Sequence, residues 1–131
     1  MSHEHMDVDE FREARERAND KILGQDHLGV KRFFNLDSRA YEDGALDATT
    51  KEWMGLVASC VLRCNDCIAY HLDVLITEHE AQPDEVMDAL NVALVVGGSI
   101  FIPHMRTAWE VAEQLFQEQG IEVDADLDVD G

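Results

Sequence analysis

The stretch DATTKEWMGLVASCVLRCNDCIAYHLDVLITE, residues 47–78, decides the fold class, because its apolar residues recur at helical spacing and nowhere follow the alternation of a strand. Asp47 and Thr49 are both competent N-caps for a helix that runs apolar through Trp53, Leu56, Val57, Cys60 and Val61. A second helix is predicted to begin between Arg63 and Asn65 and to end by Glu78, with Ile68, Leu72, Leu75 and Ile76 on its apolar face. At its start stands CNDCIAYH, residues 64–71, which sets Cys64, Cys67 and His71 at the spacing CxxCxxxH.

The flanking segments are helical in pattern as well. Residues 8–22 form a charged, amphipathic outer helix, and GVKRFFNLDSRAYEDGAL (29–46) forms another, with Phe33, Phe34, Leu36 and Tyr41 as its expected buried contribution and Gly44 as its stop. Pro83 opens a helix with Asp84 and Glu85 in its first turn, where acids suit the helix dipole, and a stripe of Val86, Leu90, Ala93, Leu94 and Gly97. The last helix, 99–119, carries Phe101, Met105, Ala108, Ala112, Leu115 and Phe116 and ends at Gly120. Gly97 and Gly98 mark a break or a close approach of helices, and Pro103 is expected to bend the last helix. The tail IEVDADLDVDG is too acidic and too isolated for an edge strand and reads as solvated. The expectation is an all-α bundle of about six helices in one domain, 1–131, with outer helices in 1–47, the core in 48–119 and an acidic tail in 120–131.

Composition bounds the function. With 131 residues, 46% of them hydrophobic, the chain can bury one real core. It has no apolar run of membrane-spanning length and no signal-peptide pattern, so a soluble, cytoplasmic protein is expected. Twenty-eight acidic against ten basic residues give a net charge of -18, with no Lys/Arg cluster. Nucleic acid and anionic membranes are therefore excluded as partners, since phosphate binding needs a basic footprint. Such self-repulsion is best tolerated in high salt, where the Debye length falls to about 3 Å at 1 M. Three cysteines in an intracellular chain point to thiol chemistry, metal binding or burial rather than to a disulfide framework.

On a helix, Cys64, Cys67 and His71 share one face. A pair at i, i+3 in a first turn reaches disulfide geometry, and the first-turn amides favour the thiolate. Asp66 and the overall negative field oppose it, so a base is needed nearby. His71 can hold or pass a proton near neutral pH. Glu52, twelve positions before Cys64, is the second candidate. A free carboxylate is about four units more acidic than a thiol, so it can act only when buried and through a relay such as His71. Two other readings use the same residues. The cysteines could simply be buried, or Cys64, Cys67 and His71 could supply three ligands of a zinc site, which Cys60, His104 or Glu52 would have to close.

The string from Thr50 to His104 resembles the core of the carboxymuconolactone decarboxylase family, which includes the alkyl hydroperoxide reductase D-type thiol proteins. The resemblance lies in the Glu, the CxxCxxxH twelve residues later, the acidic helix start PDEV and the GG segment, over about residues 48–116. It implies Glu52, Cys64, Cys67 and His71 as thiol site and proton relay, no cofactor, and an all-helical protomer assembling into trimers or hexamers. The implied activity is that of a thiol oxidoreductase or peroxidase acting on a hydroperoxide or a partner disulfide, with an unidentified electron donor. The alternative is a decarboxylase or other small-molecule lyase on the same fold. Two features set the chain apart: Asn65 and Asp66 stand where D-type members have a histidine between the cysteines, and there is room for one helical unit rather than two.

Beyond the motif, Cys60 reads as a core residue, and His104 as a core histidine or a pocket residue. His79 reads as a helix-end charge, and His3 and His5 as part of a mobile terminus. The apolar surfaces of the motif helix and of ALVVGGSIFI exceed what one small bundle covers, so a homo-oligomer is expected.

Overall fold

The structure, a computed structural model, describes residues 5–123. Among them are six α-helices: α1 Val8–Gly24, α2 Leu28–Ala40, α3 Ala48–Val61, α4 Asn65–Glu78, α5 Pro83–Gly97 and α6 Ile102–Glu118, with a 3-10 turn Ser99–Phe101 before the last. The helices start where side chains can accept from first-turn amides. Asp7 accepts from Glu10 N–H at 2.9 Å, and Asp47 from Thr50 N–H at 2.8 Å. At α5, Glu85 reaches back to Gln82 N–H at 2.9 Å. Gly98, at φ +82°, makes the break between α5 and the 3-10 turn. An L side chain adopts that backbone only under strain.

The core forms where α4 packs between α3 and α6 while α3 also packs on α5. Leu56, Ile68, Leu72, Leu75, Ile76, Leu90, Phe101, Leu115 and Phe116 are fully buried there. Helix α1 is fastened across α4 and α6 by Arg12. Its Nε and Nη2 donate to the two oxygens of Asp73 at 2.8 and 2.7 Å, and Nη1 donates to Glu118 at 2.9 Å. A planar guanidinium gripping a carboxylate in this two-pronged way fixes direction as well as distance. Gln114 adds a second tie, accepting from Val8 N–H and donating to the Met6 carbonyl.

Four expectations change. Helix α2 ends at Ala40, and Phe33 and Leu36, expected inside, are each 66% exposed. Periodicity identifies an apolar face but not what covers it. Conversely, Ile68, Leu72, Leu75 and Ile76 are buried in the chain's own core. The expected apolar surface of ALVVGGSIFI is uncovered, at Val95, Val96 and Ile100, and Val92 of α5, Met54 of α3 and Leu62 just beyond α3 are exposed as well. Pro103 does not bend α6, because it occupies the first turn, where its missing N–H has no helical partner to lose. At Gly97 a Cβ would meet only ordinary contacts, so Gly98 alone makes the break. Ile121 and Val123 pack against the core, while residues 124–131 of the acidic tail, like His3, lie outside the described residues. No described helix is long and apolar enough to cross a membrane.

Candidate active site

The turn between α3 and α4 builds the site. Arg63 adopts the left-handed conformation at φ +60°, with its N–H on the Cys60 carbonyl and Cys64 N–H on the Ser59 carbonyl. This is the Schellman pattern, usually closed by glycine. It ends α3 and makes Cys64 the N-cap of α4 in one step. Cys64 Sγ accepts from Cys67 N–H at 3.3 Å. The two cysteines, with Cα atoms 5.3 Å apart, are joined as a disulfide. Cys67 is exposed and Cys64 half-buried.

One turn beyond Cys67, His71 points into the α3–α4 contact, where its Nδ1 donates to Glu52 Oε2 at 2.8 Å. Both side chains are buried, at 7% and 5% exposure. A carboxylate on Nδ1 holds that nitrogen protonated and leaves Nε2 to exchange a proton. The room for the ring comes from Gly55. A Cβ there would stand 2.6 Å from His71 Cε1, 2.9 Å from Nε2 and 2.8 Å from the Tyr41 hydroxyl oxygen. Those distances forbid any side chain without displacement, which is why a residue with poor helix propensity sits inside α3. Tyr70 meets the edge of the same imidazole at 5.3 Å between centroids, and the Arg15 guanidinium lies 4.2 Å over the Tyr70 ring.

These groups open on a cleft of about 520 Å³. Its walls are Phe11, Ala14, Arg15, Ala18 and Asn19 of α1, Asp37 and Tyr41 at the end of α2, and Asp66, Cys67, Tyr70 and His71 of α4. That size suits a small organic molecule. Burial, with Asp37 and Glu52 adding, holds the Tyr41 phenol above its ordinary range, and burial with Glu52 does the same for Tyr70. Both therefore keep their protons at neutral pH.

The structure brings Glu52, His71, Cys67 and Cys64 together. Cys60 stays apart, fully buried, its thiol pushed up to about 12 by burial, which is the behaviour of a core residue. His104 lies outside the cleft, with its Nδ1 2.9 Å from the Asn65 side-chain oxygen, so it steadies the first residue of α4. His79 at the end of α4 meets the Thr49 hydroxyl at 2.8 Å, tying that end to the start of α3. His5 is exposed, with its Nδ1 3.5 Å from Glu110. Among the described residues no group of three or more His, Cys, Asp or Glu is arranged to hold a metal ion. Sequence reasoning missed Gly55, Arg15 and Tyr70 and treated Tyr41 only as an apolar contribution. The one signal available was an isolated glycine inside a helical pattern, three residues after Glu52.

The model of the carboxymuconolactone decarboxylase family matches residues 29–114, most of the chain and all of the site except the α1 wall. The chain belongs to the carboxymuconolactone decarboxylase family. A protein of Thermotoga maritima, solved twice, is similar over most of both chains. One structure has 53% identity and a TM-score of 0.80, covering 85% of this chain and 96% of the other. The second has 50% identity and a TM-score of 0.77, covering 88% and 98%, and is described as a carboxymuconolactone decarboxylase family protein with a suggested involvement in antioxidative response. A family member from Legionella pneumophila, in its apo form, has 25% identity and a TM-score of 0.70 over 85% of this chain and 95% of its own. No curated protein matches the chain.

Proposed function

We propose that the protein is a thiol oxidoreductase that reduces a hydroperoxide, or the disulfide of a partner, by cycling Cys64 and Cys67 between dithiol and disulfide. The observation that carries this reading is the convergence of an exposed Cys67 and a His71 anchored by buried Glu52 on one cleft. The antioxidative role suggested for the Thermotoga maritima relative is in line with it.

In the proposed cycle His71 takes the Cys67 proton at Nε2 while Glu52 stabilises the imidazolium through Nδ1. The Cys67 thiolate attacks the outer oxygen of a hydroperoxide, the O–O bond breaks, and the proton leaves with the inner oxygen as an alcohol. Cys67 becomes a sulfenic acid. Cys64 then attacks the Cys67 sulfur and the S–O bond breaks, with the released hydroxide taking the Cys64 proton to form water. An external dithiol reopens the disulfide with two electrons and two protons. With a partner disulfide as substrate, the same attack gives a mixed disulfide that Cys64 resolves. Cys67 is the attacking residue because it faces the cleft and lies one helical turn from His71, whereas Cys64 is half-buried at the cap.

The working form is a homo-oligomer, a trimer or hexamer, because the exposed apolar residues of α3 and α5 form a face too apolar to remain in water. No nucleic acid, membrane or cofactor takes part in the cycle.

The test uses reduced protein and tert-butyl hydroperoxide. One equivalent consumed per chain, with the thiol count falling from three to the single Cys60, supports the cycle. Cys67→Ser is expected to consume none, and Cys64→Ser to stop at the sulfenic acid. Failure of the reduced wild type to react with any hydroperoxide or disulfide would overturn the reading.

A further inference from the structure

Resting on that reading, we infer that Tyr41 is the proton donor to the departing oxygen of the hydroperoxide, completing a path from His71 Nε2 through the Tyr41 hydroxyl to the substrate. The point a Gly55 Cβ would occupy lies 2.8 Å from the Tyr41 hydroxyl oxygen and 2.9 Å from His71 Nε2, so both groups crowd one small space above the helix backbone. The two rings are inclined at 46° to each other, with centroids 5.4 Å apart, and both line the cleft that holds Cys67. The phenol is held protonated by burial, then by Asp37 and Glu52, so it is a donor and not a competing base.

The chemistry requires such a group. When a thiolate splits an alkyl hydroperoxide, the inner oxygen leaves as a strongly basic alkoxide. The proton that His71 took from Cys67 must reach that oxygen, yet the thiol and the inner oxygen lie at opposite ends of the O–O bond. Tyr41 sits at the end of α2, on a different wall from Cys67. It gives its proton to the alkoxide as the O–O bond breaks and regains one from the imidazolium, so the alcohol leaves neutral, His71 returns to neutral and Cys67 carries the transferred hydroxyl. No further reactant is needed.

The experiment compares wild type with Tyr41→Phe on two oxidants, following disulfide closure in a single turnover of the reduced protein. tert-Butyl hydroperoxide expels an alkoxide that needs a proton, whereas peroxyacetic acid expels acetate, which does not. Loss of a positioned proton donor is expected to slow the alkyl hydroperoxide by about 10²-fold. Peroxyacetic acid and the iodoacetamide alkylation rate should stay close to wild type, which also shows that Cys67 and the fold are intact. Equal losses on both oxidants, a parallel fall in alkylation, or no loss on either would each overturn the assignment to Tyr41 while leaving the dithiol cycle standing. A wild-type protein that exchanges with an aromatic disulfide but reacts with neither oxidant would instead overturn the peroxide reading, and this inference with it.

Discussion

His71 Nδ1 lies 2.8 Å from Glu52 Oε2 in a contact closed to solvent, so helix α3 fixes both the orientation and the proton of a side chain carried by α4. In the proposed relay the pair works as one unit. Glu52→Gln is expected to lower the Cys67 alkylation rate by about 10² to 10⁴-fold, and His71→Asn by a similar factor. The double variant should be little worse than either single one, because two members of one relay do not contribute independently. Multiplying losses would show that they act separately.

Gly55→Ala tests the space that the proposed relay needs. On propensity alone alanine would stabilise a helix interior by about 1 kcal/mol. Here its Cβ would enter at 2.6 Å from His71 Cε1, so the sign reverses, with overpacking costing about 1–3 kcal/mol and the imidazole displaced. The control is Gly24→Ala in α1, where a Cβ meets nothing within 4 Å and the same exchange should raise the unfolding midpoint. A Gly55→Ala protein as stable and as reactive as wild type would refute the packing argument.

The clasp of Arg12 on Asp73 should make stability depend on acid. Burial favours the neutral carboxyl, but the hydrogen bonds from Arg12 and Thr77 prevail and hold Asp73 below its ordinary value. A carboxylate depressed in the folded state contributes stability that is present above about pH 3.9 and lost as pH falls through the depressed value. Urea unfolding in molar salt is expected to show Asp73→Asn losing less stability than wild type over that acid range. Arg12→Met, which strands a half-buried carboxylate, should cost about 1.5–3 kcal/mol at neutral pH and loosen the α1 wall of the cleft. Parallel acid profiles for wild type and Asp73→Asn would remove Asp73 as the source.

Met54, Leu62 and Val96 should be interface residues. Light scattering at high salt is expected to give a mass several times the 14.8 kDa chain, and Val96→Glu to lower it. The substitution places a charge in a face that assembly would desolvate. A monomer for the wild type would defeat the oligomer.

The sequence by itself determined the all-α class, the start of α3 to within Asp47–Thr49, the start of α4 to within Arg63–Asn65, and the core stripes of α4, α5 and α6. Each of these comes from local chemistry: a cap needs an acceptor beside free amides, and a buried face needs apolar residues at three and four. It also supplied the Cys64, Cys67 and His71 alignment, because helical spacing is local geometry. Only the tertiary structure decided which way α3 crosses α4, and that crossing turns Glu52 from a helix-start acid into the partner of His71. It alone revealed that Gly55 is a space and not a flexible link, and that Tyr41, from the end of another helix, shares that space. It also reversed the burial of Phe33 and Leu36. Contacts between elements depend on side-chain volumes meeting across distant parts of the chain, and periodicity along one helix carries no record of which neighbour will meet it.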